Sequence, residues 1–471
     1  MGSDPSASTR ARAAGLLLGS LLVSAACWLD WPGFLRGTTR RGGGWLWRYY
    51  ERPREPIAFA LLFCGFALAA WLLDRHARGN DWRLPGAGAC LLVFVVQVAS
   101  LGWAQSGDGN PWRAMTNHVL RSGSFETLEQ FPDLRPVFRD WPRLRAELPK
   151  PHVPYQPPFA LLPAWLSARL TEAQPSLAHR IAAVSRARRD VESPMLAASA
   201  LVCALAMLAV CALNPILLTL LLRARHDPHS VAIAAVASIA PGILMHSPSL
   251  YQLQAPFFSA CALAAQTMAL PAGALVAGLV IGCVAELSFL APALGNWIAV
   301  VVLARCRDAR TAIVSCGALI GGVLLVLFAA QLATGFSWFG GLFAALAAGH
   351  PEEILKRPYT ASLWRNAIDV VVWCGPLPFL GALVGGLAAA RSLLRGEAPD
   401  GFALGGLVGL FVLNLSGATR AEVGRVWIPY FPLLVVAAAP TLRGFFPGRW
   451  LAGAAAAQLL HAFVMMSRWG S

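Results

Sequence analysis

Asp108, in the run QSGDGNPWRAMTNHVL, is the first candidate for chemistry. A carboxylate there can act as a general base or hold a divalent cation. Gly107 and Gly109 permit a tight turn that would present it; the plainer alternative is an Asp that only shapes such a turn. Glu422 and Arg425, in SGATRAEVGRVWIPYFP, are three residues apart and share one face of a helix. They precede an apolar block, where charge is tolerated only at an interface or in a polar cavity. A guanidinium at that depth suits a phosphate through paired hydrogen bonds. The alternative is an interfacial salt bridge that anchors the next helix.

Further polar residues have the same two-sided reading. His118 lies between Arg113 and Arg121. It is either a sugar or phosphate contact or part of a solvated surface helix. Tyr155 and Gln156, with His152, stand before Pro157 and Pro158; they contact a substrate or merely anchor the backbone. In HSPSLYQLQ, His246, Tyr251, Gln252 and Gln254 either line a polar cavity or form a tight interfacial loop. Glu286 lies inside LVIGCVAELSFLAP. An acid in such a block is a functional candidate by default, or a neutral, hydrogen-bonded side chain beside a broken helix. His350, Glu352, Glu353, Lys356 and Arg357 read as a solvated helix start.

These residues must be positioned by elements that are mostly apolar. Of 471 residues, 57% are hydrophobic and only 13% charged, against about 25% charged in soluble domains. The expected fold class is all-α: a polytopic transmembrane helical bundle of about 11 to 13 spans, with a long outer loop carrying amphipathic helices. A transmembrane β-barrel would instead show short alternating segments. Short Arg-bearing loops at 223–225, 305–310, 391–395 and 443–449 read as cytoplasmic. That places 105–195, 247–254, 333–367 and 417–425 on the outer side. The scheme strains at 36–54, which carries six arginines yet falls outside by parity. Either the apolar run 13–29 does not cross, or this loop is an exception. That run has no convincing cleavage site after it and reads as a retained first span.

Several classes are excluded. The net charge of +14 is accounted for by arginines in loops and at headgroups, and no basic run with interleaved aromatics indicates nucleic acid. Ten cysteines occur without a CxxC pair and read as small buried apolar residues. Walker, HExxH and GxSxG motifs are absent. No strong internal repeat marks the inverted plan of many transporters.

Three patterns together resemble the GT-C glycosyltransferases, the polytopic enzymes that use polyprenyl-phosphate sugars. One is the acid after an early span, Asp108 in SGDGNPWRAMTNHVL. The second is PYQPPFALLPAW, closing the outer loop before an amphipathic segment. The third is Glu-x-x-Arg-x-Trp in AEVGRVWIPYFPLLV, opening a late span. The resemblance covers 86–440 and departs from the pattern in that Asp108 follows the third span rather than the first, Gly109 follows it where many members pair a second acid, and the outer loop 247–254 carries no acid. Residues 1–85 are therefore expected to be an extra N-terminal transmembrane module before a core at 86–471.

By that resemblance the chain moves a sugar from a polyprenyl-phosphate donor to a lipid, glycan or protein acceptor on the outer side of the membrane. Asp108 would be the base, Arg425 the donor-phosphate ligand oriented by Glu422, and His118, Tyr155, Gln156 and His246 substrate contacts. A divalent cation is the one cofactor the resemblance admits. Gly109 stands where many members have a second acid, so Glu422 would have to supply it. The location would be the inner (plasma) membrane, multi-pass. A transporter or flippase of a lipid-linked envelope precursor is the alternative, and there Glu286 would lie near the midplane.

Overall fold

The computed structural model describes residues 7–32, 35, 48–51, 54–79, 81–105, 110–148, 153, 156–185, 193–347, 358–416, 423–446 and 449–470. Within them the chain is an all-α bundle. Its only strands are a two-residue antiparallel ladder, β1 (Arg48–Tyr49) with β2 (Trp469–Gly470). Long apolar sequence favours helices because a helix satisfies its own backbone groups where water is absent.

Three long helices open the chain: α1 (Ala7–Leu29), α2 (Pro56–Gly79) and α3 (Arg83–Gln105). Short helices then build the polar loop: α4 (Pro111–Leu120), α5 (Ser124–Gln130), α6 (Leu134–Arg139), α7 (Trp141–Leu144), α8 (Leu162–Glu172) and α9 (Pro175–Ser185). The central helices are α10 (Pro194–Cys211), α11 (Asn214–Ala224), α12 (Ser230–Ala237), α13 (Pro241–Met245), α14 (Leu250–Thr267) and α15 (Ala272–Ala285). After them come α16 (Ala291–Leu294), α17 (Asn296–Arg305), α18 (Ala309–Thr334) and α19 (Trp338–Ala347). The last are α20 (Tyr359–Cys374), α21 (Pro376–Leu394), α22 (Gly401–Ser416), α23 (Val423–Val426), α24 (Phe431–Phe445) and α25 (Arg449–Arg468).

Seven of the described helices are long and apolar enough to cross a membrane, and four apolar helices are shorter. The chain is thus a helical membrane protein, with fewer full-length spans than hydropathy alone implies. The reason is breakage. Pro241 divides the expected span 231–246 into α12 and α13, of eight and five residues. The expected spans 273–290 and 292–304 contain α15 and α17, of only 14 and 10 helical residues. Outward faces are apolar, as lipid contact requires: on α18, Leu332 is 89% exposed and Ile313 is 73% exposed.

Close packing replaces a water-driven core in several places. A Cβ on Gly278 of α15 would strike the Leu319 backbone of α18, and one on Gly322 would strike the backbone around Gly278. Small residues let these two helices touch backbone to backbone. All ten cysteines are free, and Cys64 and Cys283 are exposed rather than buried, because they sit on outward helix faces.

The helix ends sort into two groups. At one end the Arg-bearing loops pair with one another. Arg225 meets Asp400 at 2.8 Å and Arg443 meets Asp227 at 3.2 Å. Asp74 of α2 meets Arg78 at 3.3 Å and His229 at 3.1 Å. At the other end lie the turn from α4 into α5, the α13–α14 loop and α23. The terminal ladder belongs to this second end, because α25 runs back from the Arg443 side. The Arg48 backbone and Arg54 therefore sit at the end opposite the other loop arginines.

The N-terminal segment is docked on the end of the chain. Helices α1 and α2 both pack along α25. Ser24 Oγ lies 3.1 Å from His461 Nδ1, and Trp469 Nε1 donates to the Cys27 carbonyl at 3.0 Å.

Candidate functional site

Helix α4 begins where Asn110 caps it. Its Oδ1 accepts from Trp112 N at 3.0 Å and Arg113 N at 3.1 Å, with Pro111 in the first turn. The helix lies against α3 and α10, burying Met115 and Val119 and leaving His118 half-buried beside them. Gly123, with φ +82°, turns the chain from α4 into α5. A residue with a Cβ is strained in that left-handed conformation. The turn presents Arg121, Ser122 and Ser124 to the same space as His118. Ser122 Oγ donates to Ser124 Oγ at 3.1 Å, which fixes the two hydroxyls relative to each other.

Opposite them stands the α13–α14 loop. His246 ends α13 and packs its ring 5.6 Å from Trp373 of α20. Ser249 caps α14 by accepting from Gln252 N at 3.2 Å. Tyr251, in the first turn of α14, lies under Arg425, whose guanidinium carbon is 5.9 Å from the ring centroid. Arg425 itself rides on α23, a single turn. Gly424 beside it presses on the Trp373 indole, where a Cβ has no room. Trp373 therefore braces both His246 and the Arg425 turn. Behind it, Trp469 meets Trp373 edge-on at 6.1 Å.

Together these elements enclose a cavity of about 300 Å³. His118, Arg121, Gln156, His246, Tyr251 and Arg425 all line it. Segments more than 300 residues apart thus bring five of the sequence-selected residues, His118, Gln156, His246, Tyr251 and Arg425, to one space. Asp108, Tyr155 and Glu422 lie outside the described residues, as do His152 and the 350–357 group. Helix α23, which carries Arg425, is described from Val423 onward.

Two expectations are adjusted. Gln252 and Gln254 are buried and do not line the cavity, because α14 turns both side chains into the bundle. Glu286, 5% exposed, caps the end of α15 and lies away from the cavity wall. Ser122, Ser124, Cys203 and Met207 line the cavity without having been singled out in sequence. The serines had a signal in the RSGS turn after α4; Cys203 and Met207 lie in an unbroken apolar block and had none.

The electrostatics favour an anion. The described lining carries two guanidiniums and two imidazoles but no carboxylate. Burial, then the charges of Arg121 and Arg425, hold the His118 pKa down, to about 4. His118 is thus neutral at pH 7 and can donate or accept one hydrogen bond. Among the described residues no group of three His, Cys, Asp or Glu side chains could hold a metal ion. The acids to which a divalent cation would fall, Asp108 and Glu422, are outside them. The described donors fit a phosphate and do not fit a cation. No family model, curated protein or solved structure gives a significant match to this chain.

Proposed function

We propose that the chain is an integral-membrane glycosyltransferase of the GT-C kind, moving a sugar from a polyprenyl-phosphate donor to an acceptor hydroxyl on the outer side of the inner (plasma) membrane. The observation that carries this reading is the convergence of Arg425, His118, Gln156 and His246 on one cavity free of carboxylates among its described lining. Arg425 and Arg121 hold the donor phosphate. Guanidinium groups suit phosphate oxygens in geometry as well as charge. His118, His246, Gln156 and the Ser122–Ser124 pair offer hydrogen bonds to sugar hydroxyls, with Tyr155 nearby in sequence.

In the reaction, Asp108 takes the proton from the acceptor hydroxyl. The hydroxyl oxygen bonds to the anomeric carbon while the bond from that carbon to the phosphate oxygen breaks. The electron pair leaves with the polyprenyl phosphate, and Arg425 balances the charge gained there. Glu422 orients Arg425. Asp108 enters just before the Asn110 cap of α4, the helix that carries His118 into the cavity.

Membranes containing the protein are tested with radiolabelled polyprenyl-phosphate sugars. Transfer by wild type, abolished by Asp108→Asn at equal protein level, supports the reading. Equal transfer by wild type and Asp108→Asn, or no transfer from any donor, overturns it. A chelator arm decides the metal. Loss restored by a divalent cation assigns the cation to Asp108 and Glu422, and survival leaves Asp108 a plain base.

One observation favours the alternative, a transporter or flippase of a lipid-linked precursor. Both carboxyl oxygens of Glu286 are buried without a hydrogen-bond partner among the described residues, as a proton- or substrate-coupled acid would be. Precursor translocation into sealed vesicles, lost in Glu286→Gln, would favour that reading.

A further inference from the structure

A second cavity, of about 650 Å³, opens between α2, α12, α21, α24 and α25. It shares no lining residue with the first. Its polar groups are the Asp74, Arg78 and His229 cluster at the end of α2 and Gln458 deeper in; the rest is a groove open to the outward face of the bundle.

The body of the groove is hydrocarbon. Buried Ala70, Ala439 and Ala454 form its walls together with Leu377 and Leu459. Methyl side chains at the contact of five helices leave a channel where larger ones would close it. Such a channel, open to the bilayer, is filled by lipid chains, since apolar walls lose contact energy against a void.

The mouth is ionic and unbalanced. Asp74, buried, accepts from the Ala232 N–H at 3.3 Å and pairs with Arg78 and His229. Arg78 is 43% exposed and keeps donors to spare. Arg75, on the same turn, and Arg443, paired with Asp227, add positive charge. Counting these neighbours, three guanidiniums stand beside two carboxylates, although of the five only Arg78 and Asp74 line the groove itself. Deeper in, Gln458 is 5% exposed; its Nε2 donates to the Cys374 carbonyl, while its Oε1 accepts no hydrogen bond among the described residues.

We propose that this groove binds one chain of an anionic membrane phospholipid, with the lipid phosphate at the Arg78–His229 mouth. The apolar body accepts the chain, and the excess of guanidinium at the mouth selects a negative head over a zwitterionic one. The site is independent of the sugar-transfer reading.

The probe is a phosphatidylglycerol carrying a diazirine in one acyl chain, mixed as a minor component into phosphatidylcholine vesicles that hold the full chain. Illumination and peptide mass spectrometry are expected to place adducts in 67–78 and 452–459 at higher density than on the lipid-facing surface of α18. Ala439→Trp fills the groove and removes these adducts. Should that variant not fold, Ala455→Phe at the rim reduces them severalfold. Arg78→Gln lowers the phosphatidylglycerol adducts severalfold and leaves a matching phosphatidylcholine probe unchanged. Leu387→Trp, on the outward face of α21, keeps the wild-type pattern. Adducts no denser in the groove than on α18 overturn the proposal. So does a phosphatidylcholine probe that labels the groove as strongly as phosphatidylglycerol, because the groove is then an ordinary lipid contact.

Discussion

Arg425 rides on the short helix Val423–Val426, with Tyr251 beneath it and Trp373 behind its neighbour Gly424. Its guanidinium is therefore held by rings rather than by a long helix. If it stabilises the leaving phosphate, Arg425→Ala lowers kcat/KM for sugar transfer about 10²- to 10³-fold, the usual cost of losing one such donor. Arg425→Lys recovers part of that loss, since a point charge replaces a planar fork. Steady-state transfer assays read both, and a change confined to thermal stability would count against the role.

His118 makes a second prediction, in pH. Its folded pKa lies near 4, below the ordinary value of 6.5, from burial and then from Arg121 and Arg425. Between those values the unfolded chain binds a proton that the folded chain refuses. The neutral ring is thus compatible with full stability above about pH 6.5, and stability falls as pH drops toward 4. Thermal unfolding in detergent across that window should show the fall, and His118→Gln should flatten it. Inorganic phosphate in the cavity should reduce the fall by favouring the charged ring. An acid limb identical in wild type and His118→Gln would remove His118 from the cause.

At the scale of elements, α15 and α18 meet through glycine. Gly278→Leu drives a side chain into the Leu319 backbone, and the pair must separate. A clear drop in melting temperature is expected, whereas Gly317→Leu, which meets open space, leaves it within error. Equal effects would show that the close approach contributes little.

The helical character and the Arg-bearing ends were legible in the sequence, because hydropathy and charge follow directly from the bilayer. The breaks were less so. Pro241 was visible, but its effect on 231–246 depended on whether neighbours could accept the freed backbone groups. The candidate cavity was half legible. His118, Gln156, His246 and Arg425 stood out as polar groups beside apolar blocks. Met207 and Cys203 did not, since a helix inside an apolar block shows no sign of which face meets a cavity. Gln252 and Gln254 failed for the same reason: their direction is set by the helical phase of α14, not by residue type.

For the whole molecule, the two ends differ in kind. One carries ion pairs that tie distant loops together, Arg225 to Asp400 and Arg443 to Asp227. The other carries the cavity and the terminal ladder. Ser122→Cys and Glu397→Cys should therefore react with a membrane-impermeant maleimide from opposite sides of sealed vesicles. Labelling of both from one side would break this arrangement.

The Ser24–His461 contact joins residues 437 apart. During synthesis α1 enters the bilayer well before α25, which packs along it, has been made. Until then the Trp373 brace of the cavity lacks Trp469 behind it. Assembly of the site thereby waits on α25. A stalled or truncated nascent chain holds most of the bundle but an unbraced cavity, and the insertion machinery must shelter Ser24 throughout that wait.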